Sequence, residues 1–116
     1  PLNDADNAFP IDFTKSLPLT HETFKEDAII LELHDPETTV MLDNTKNDHG
    51  VALTVENAPY VGVWSPYPAE GSFVCIEPWW GIADSVNSTG KLEEKMGMND
   101  LKPQSEASQS FEISFF

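Results

Sequence analysis

Apolar and polar residues alternate in short runs along most of the chain, and no stretch shows the 3.6-residue period of an amphipathic helix. Residues 1–17 mix Asp, Asn and Pro with isolated apolar side chains and read as an irregular lead-in. Leu19 to Phe24 can form one helical turn with Thr20 as its cap. From Ala28 the composition shifts to β-branched and apolar runs. Ala28 to His34 reads as a strand, Asp35-Pro36-Glu37 as a turn, and Thr38 to Leu42 as the returning strand. Asp43 to Gly50 is a polar loop ending in glycine. Val51 to Val55 and Tyr60 to Trp64 read as two further strands, split by Glu56-Asn57-Ala58-Pro59. A proline-rich loop, Ser65 to Gly71, leads into Ser72 to Ile76, and Phe111 to Phe116 closes the chain as a final strand.

Short strands with turns at fairly regular spacing predict an all-β sandwich or barrel of antiparallel strands. Strands occupy residues 28–76, residues 77–109 are loop-rich, and 111–116 is the last strand. A connection as long as Trp79 to Gln109 is uncommon in a small compact domain. It is expected where those residues pack against strands the chain does not contain. The first residue is Pro1 rather than Met, which also reads as a processed chain or a piece of a longer one.

Charge narrows the partners. Twenty acidic residues face six basic ones, all lysines, for a net charge of −14. Such a chain repels polyanions, which argues against nucleic acid and anionic membrane surfaces. With no arginine, the usual fork for phosphate or carboxylate is absent, and a neutral ligand is easier to hold. No apolar run is long enough for a membrane-spanning helix. Cys75 is the single cysteine, which excludes an internal disulfide and suits a reducing cytoplasm. It lies inside the apolar run Phe73-Val74-Cys75-Ile76 and reads as a packing residue rather than a nucleophile.

Several motifs fail on inspection. Asp43 to Gly50 is rich in oxygen donors, but it lacks the glycine at the sixth position and the glutamate at the twelfth that a calcium loop requires. His21, His34, His49 and Cys75 have no zinc-ligand spacing. No glycine-rich phosphate cradle occurs. No metal site or cofactor is expected.

The most informative segment is Phe73-Val74-Cys75-Ile76-Glu77-Pro78-Trp79-Trp80-Gly81, in which an apolar run leads directly into a carboxylate and two tryptophans. Strand alternation puts Glu77 on one face with Cys75 and Phe73, and Pro78 keeps Glu77 extended. Partly dehydrated surroundings suit a general base working near neutral pH. Carboxylate beside tryptophan is also what a sugar site needs: a pyranose has an apolar C–H face for the ring and hydroxyls for the carboxylate. Trp64, Tyr60 and Tyr67 are close in sequence. Read from residue types alone, packing is the commoner use of such aromatics, and Glu77 is equally a strand-end acid.

The same segment, with Ile82-Ala83-Asp84 after it and Tyr60-Val61-Gly62-Val63-Trp64 before it, resembles the C-terminal region of aldose 1-epimerase (galactose mutarotase)-like proteins. It is most similar to the bacterial subgroup found beside lactose or galactose genes. Leu92-Glu93-Glu94-Lys95 with Gly97, Leu101-Lys102-Pro103, Leu17-Pro18-Leu19 and Phe24 to Ile30 extend the likeness from about Leu17 to Phe116. The Cys-Ile-Glu-Pro-Trp block is its specific part.

The resemblance implies a β-supersandwich, of which residues 1–116 are the C-terminal portion, and a cofactor-free exchange of the α and β anomers of a free hexose of galactose or glucose type. In that family a glutamate takes the proton of the C1 hydroxyl while a histidine protonates the ring oxygen. Glu77 matches the glutamate. Asp27 is similar to an aspartate that binds sugar hydroxyls, and it reads equally as a solvated loop acid before a strand. Trp64 and Trp79 are the expected sugar-contacting aromatics. The family's histidine acid and sugar-binding arginine lie upstream of the matched region, and none of His21, His34 and His49 takes the acid's role.

Three readings follow. The chain belongs to a mutarotase and carries its base, or it belongs to a carbohydrate-binding sandwich without turnover, or it is a small β module for protein contacts. A chain cut from a larger sandwich is expected to partner the missing N-terminal part and, alone, to expose apolar strand edges and self-associate.

Overall fold

The computed structural model describes residues 10–12 and 14–116. Much of the lead-in expected over residues 1–17 thus lies outside the described residues. The described residues form six strands: β1 Ile29–Glu32, β2 Glu37–Asp43, β3 Gly50–Glu56, β4 Tyr60–Trp64, β5 Cys75–Trp79 and β6 Phe111–Phe115. Short 3-10 turns at His21–Phe24 and Leu92–Glu94 are the helical elements among the described residues. Thr20 caps the first turn, its backbone N–H donating to Thr23 Oγ1 at 2.9 Å.

All pairings are antiparallel. One sheet has the order β1-β4-β5 and the other β2-β3-β6. The all-β antiparallel class expected from the sequence is what the chain adopts. Successive strands change sheet between β1 and β2, between β3 and β4, and again between β5 and β6. The first two crossings are tied together where Asn57 N–H donates to Pro36 O at 2.7 Å and Leu33 N–H to Pro59 O at 2.9 Å.

Alternation decides which side chains meet between the sheets. In the first sheet Leu31, Val61 and Val63 are buried, with Ile29 and Ile76 packed against them; in the second, Leu53 and Val55 are buried with Val40 alongside. These residues, with Phe24 and Ala58, form one cluster. In β2, Thr38, Val40 and Leu42 turn inward while Glu37, Thr39, Met41 and Asp43 face water.

Strand positions differ from the sequence reading at one place that matters. The strand expected at Ser72 to Ile76 runs instead over Cys75–Trp79, so Glu77 sits in the middle of a strand rather than at its end. Phe73 lies before the strand, where its carbonyl accepts from Ser65 Oγ at 2.9 Å and its ring stands 6.1 Å from that of Trp64. Pro78 is accommodated because β5 is the outer strand of its sheet, where a missing N–H interrupts no second ladder.

The core does not end cleanly. Val51, Leu53 and Val55 pair with Phe115, Ile113 and Phe111, so the apolar face of β3 continues in register onto β6. Leu53 is 1% exposed, whereas Ile113 is 49% and Phe115 82% exposed. Phe111 and Phe116 are exposed as well. Beyond β3 nothing among the described residues covers this face.

Candidate functional site

The face of the β1-β4-β5 sheet that turns away from the core carries the candidate chemistry. Directly paired residues of antiparallel strands project to the same side. Gly62 pairs with Glu77, Tyr60 with Trp79 and Trp64 with Cys75, so these six residues share one face. Val61, Val63 and Ile76 take the opposite, core-facing side.

Glu77 and Trp79 stand two residues apart on this face and are joined: the indole Nε1–H donates to Glu77 Oε2 at 3.1 Å. Both are partly buried. The ring is seated over β4 at Gly62. A methyl group at Gly62 would meet Trp79 Cζ2 at 2.6 Å and Cε2 at 2.9 Å, so only glycine leaves room for the indole there. One carboxylate oxygen is thus held by the ring, and among the described residues Oε1 has no hydrogen-bond partner.

The two tryptophans of the Trp79-Trp80 pair have separate fates, as alternation requires. Trp79 lies on the Glu77 face, whereas Trp80 packs against the hydrophobic cluster. Its carbonyl accepts from Asn99 Nδ2, which ties the long connection back to β5. The packing role of aromatics holds for Trp80.

Asp27 and Trp64 are brought together elsewhere on the surface. With Phe24, Lys25, Pro66 and Tyr67 they line an open cleft of about 350 Å³. Asp27 has φ of +85°, in the left-handed region, and its Oδ1 accepts the Ala28 backbone N–H at 2.8 Å. Trp64 links the two places, since it lines the cleft and stands diagonal to Glu77 across β4 and β5. Glu77 and Trp79 are not among the cleft's lining residues.

Tyr67 is a cleft residue to which the sequence reading gave no role. Its hydroxyl donates to Glu22 Oε1 at 3.3 Å and its ring lies 4.8 Å from that of His21, whose Nε2 is 3.3 Å from Pro68 O. The Glu22 charge beside it raises the Tyr67 pKa above its ordinary value of 10.0. No local motif announces this trio, because Tyr67 and Glu22 are 45 residues apart.

The loop Asp43 to Gly50 spends its oxygens on its own backbone. Asn44 Oδ1 accepts from Lys46 N–H at 2.9 Å and Asn47 Oδ1 from His49 N–H at 3.1 Å. Among the described residues no group of three or more His, Cys, Asp or Glu side chains is placed to hold a metal ion. No helix among them is long and apolar enough to cross a membrane.

Comparison with known proteins gives a consistent result. No protein-family model matches the chain. It is 28% identical over 100 residues to the plasmid and chromosomal LacX proteins of Lactococcus lactis subsp. lactis, a match covering 86% of this chain and 33% of each relative. Its fold superposes with a TM-score of 0.82 on the crystal structure of a galactose mutarotase related enzyme from Lactobacillus acidophilus. Identity there is 44%, over 86% of this chain and 33% of that one. In sequence and fold the chain is therefore similar to part of these galactose mutarotase-related and LacX proteins, and it spans about one third of the length of the relatives it matches.

Proposed function

We propose that this chain is the base-bearing, C-terminal portion of an aldose 1-epimerase acting on a free hexose of galactose or glucose type in the cytoplasm. The observation that carries this reading is Glu77 itself: a strand-borne carboxylate, partly buried, with one oxygen fixed by the Trp79 indole. Its other oxygen takes the proton of the C1 hydroxyl as the C1=O bond forms and the bond from C1 to the ring oxygen breaks. An acid outside this chain protonates the ring oxygen. Rotation about C1–C2 and closure with the two protons returned gives the other anomer. No cofactor enters this cycle. Trp64 and Trp79 offer their rings, and Asp27 its free oxygen, to the sugar.

Within this reading the remaining two thirds of the fold supply the acid and cover the apolar face of β6. Its half-exposed Ile113 and Phe111 continue the row of Leu53 and Val55 in register. Residues 1–116 are then one portion of a single sandwich rather than a domain apart.

The test is Glu77→Gln in the full-length protein. It keeps the hydrogen bond from Trp79 and the shape of the side chain but removes the base. Anomer exchange should fall by about 10²–10⁴-fold with the unfolding midpoint unchanged. A near-normal rate contradicts the mechanism.

One observation favours a second reading, a carbohydrate-binding sandwich without turnover. The cleft holding Asp27, Trp64 and Tyr67 has aromatic and carboxylate groups suited to a sugar, yet Glu77 is not in its wall. Sugar binding by the full-length protein without faster anomer exchange supports that reading.

A further inference from the structure

We propose that Trp79 acts as a positioning residue for Glu77, and that Gly62 is the seat that makes this possible. The inference rests on the epimerase reading for its catalytic consequence, but its geometry stands independently. Trp79 is expected from residue type to offer a face to sugar. Its placement adds something a stacking platform does not require. The indole N–H is directed at Glu77 Oε2, and the ring edge bearing Cζ2 and Cε2 lies where a Gly62 side chain would start.

The three residues form one unit across two strands. Glu77 and Gly62 are register partners, and Trp79 follows Glu77 on the same face. A glutamate on an outward face has several staggered conformers open to it. A donor fixed by packing selects one of them, and it binds one oxygen while leaving the other for substrate. Gly62 lies within a strand, where glycine weakens the element unless another group approaches closely. That approach is made by Trp79, so glycine at 62 is explained by the indole and not by a turn. Its backbone is ordinary strand, paired on both sides with Ile30 and Glu77.

Two variants separate positioning from stacking in the full-length protein. Trp79→Phe keeps an aromatic face and loses the N–H. If Trp79 serves only as a sugar platform, KM and kcat of anomer exchange change little. If it positions Glu77, kcat falls about tenfold or more with KM nearly kept, the size expected for a lost hydrogen bond to a charged group. Gly62→Ala displaces the ring and should reproduce the kcat loss. The double variant Gly62→Ala with Trp79→Phe should be no slower than the slower single variant, since both act through one contact. Additive losses, or an unchanged kcat in Trp79→Phe, overturn the proposal.

A second readout needs no turnover. In protein labelled with ¹⁵N, the indole N–H resonance of Trp79, assigned by its disappearance in Trp79→Phe, should shift in Glu77→Ala while those of Trp64 and Trp80 stay in place. An unmoved Trp79 resonance overturns the contact even if Gly62→Ala fails to fold. If the resonance moves but the unmodified protein does not exchange anomers, the positioning contact stands and the epimerase reading fails.

Discussion

Replacing Ile113 by alanine measures whether the β6 face is covered in the full-length protein. Ile113 pairs with Leu53 and lies on the same side of the sheet, so the two differ mainly in what lies above them. Leu53 is 1% exposed, and truncating it to alanine should cost about 2–5 kcal/mol. Ile113 is 49% exposed within this chain. Full burial of an isoleucine is worth about 1.5–3 kcal/mol, so half of it leaves a cost near ~1 kcal/mol for Ile113→Ala if nothing further covers the strand. If the remainder of a larger sandwich packs on β6, the cost rises into the range of about 2–5 kcal/mol set by Leu53→Ala. Urea unfolding of the full-length protein and both variants, followed by circular dichroism, gives these differences from the midpoints at a common m value. We expect Ile113→Ala to approach Leu53→Ala. A cost of about 1 kcal/mol or less for Ile113→Ala, beside a full-sized loss for Leu53→Ala, refutes the covered face.

Two further predictions concern the cleft. Glycine adopts the left-handed backbone of Asp27 freely, so Asp27→Gly should keep the fold and weaken sugar binding, whereas Asp27→Ala should also lose about 1 kcal/mol of stability; thermal unfolding and titration with galactose check both. Ultraviolet titration of the two tyrosines should show Tyr67 ionising above the usual range and returning toward it in Glu22→Gln. Because folding raises this pKa, any stability Tyr67 contributes is complete below its unfolded pKa of 10.0 and is lost as pH rises through the folded value.

Much of the fold was legible because it depends on local pattern. Tyr60 to Trp64 has the bounds read from sequence, since Pro59 and the Ser65-Pro66 pair punctuate both ends. Thr38 to Leu42 and Val51 to Val55 each gained one residue at either end, as fraying of hydrogen-bonded ladders allows. The strand holding Glu77 begins three residues later than the apolar run from Ser72 suggests. A continuous run such as Phe73-Val74-Cys75-Ile76 has no alternation to fix its start, and Pro78 reads as a breaker until β5 is known to be an outer strand.

Within the site, Glu77 stood out from its apolar approach and neighbouring tryptophans. The Glu77–Trp79 bond is at least local, two residues apart on one face. The seat at Gly62 was not readable, because it depends on the β4–β5 register rather than on spacing along the chain. For the same reason Trp64 and Asp27 could be named as candidates but not placed in one cleft, and Tyr67 could be noted near the Glu77 segment but not placed against Glu22. Only contacts between residues far apart in sequence distinguish Trp79 on the site face from Trp80 in the core.

If Glu77 is the base of an anomer exchange, as we propose, the rate of that exchange depends on its carboxylate. Freshly dissolved α-galactose and α-glucose are followed by polarimetry with the full-length protein, its Glu77→Gln variant and buffer alone. With Glu77 as the base, the unmodified protein should bring at least one of the sugars to equilibrium well ahead of buffer, and Glu77→Gln should run close to the buffer rate. Equal acceleration by the two proteins, or none by the unmodified one, contradicts that role.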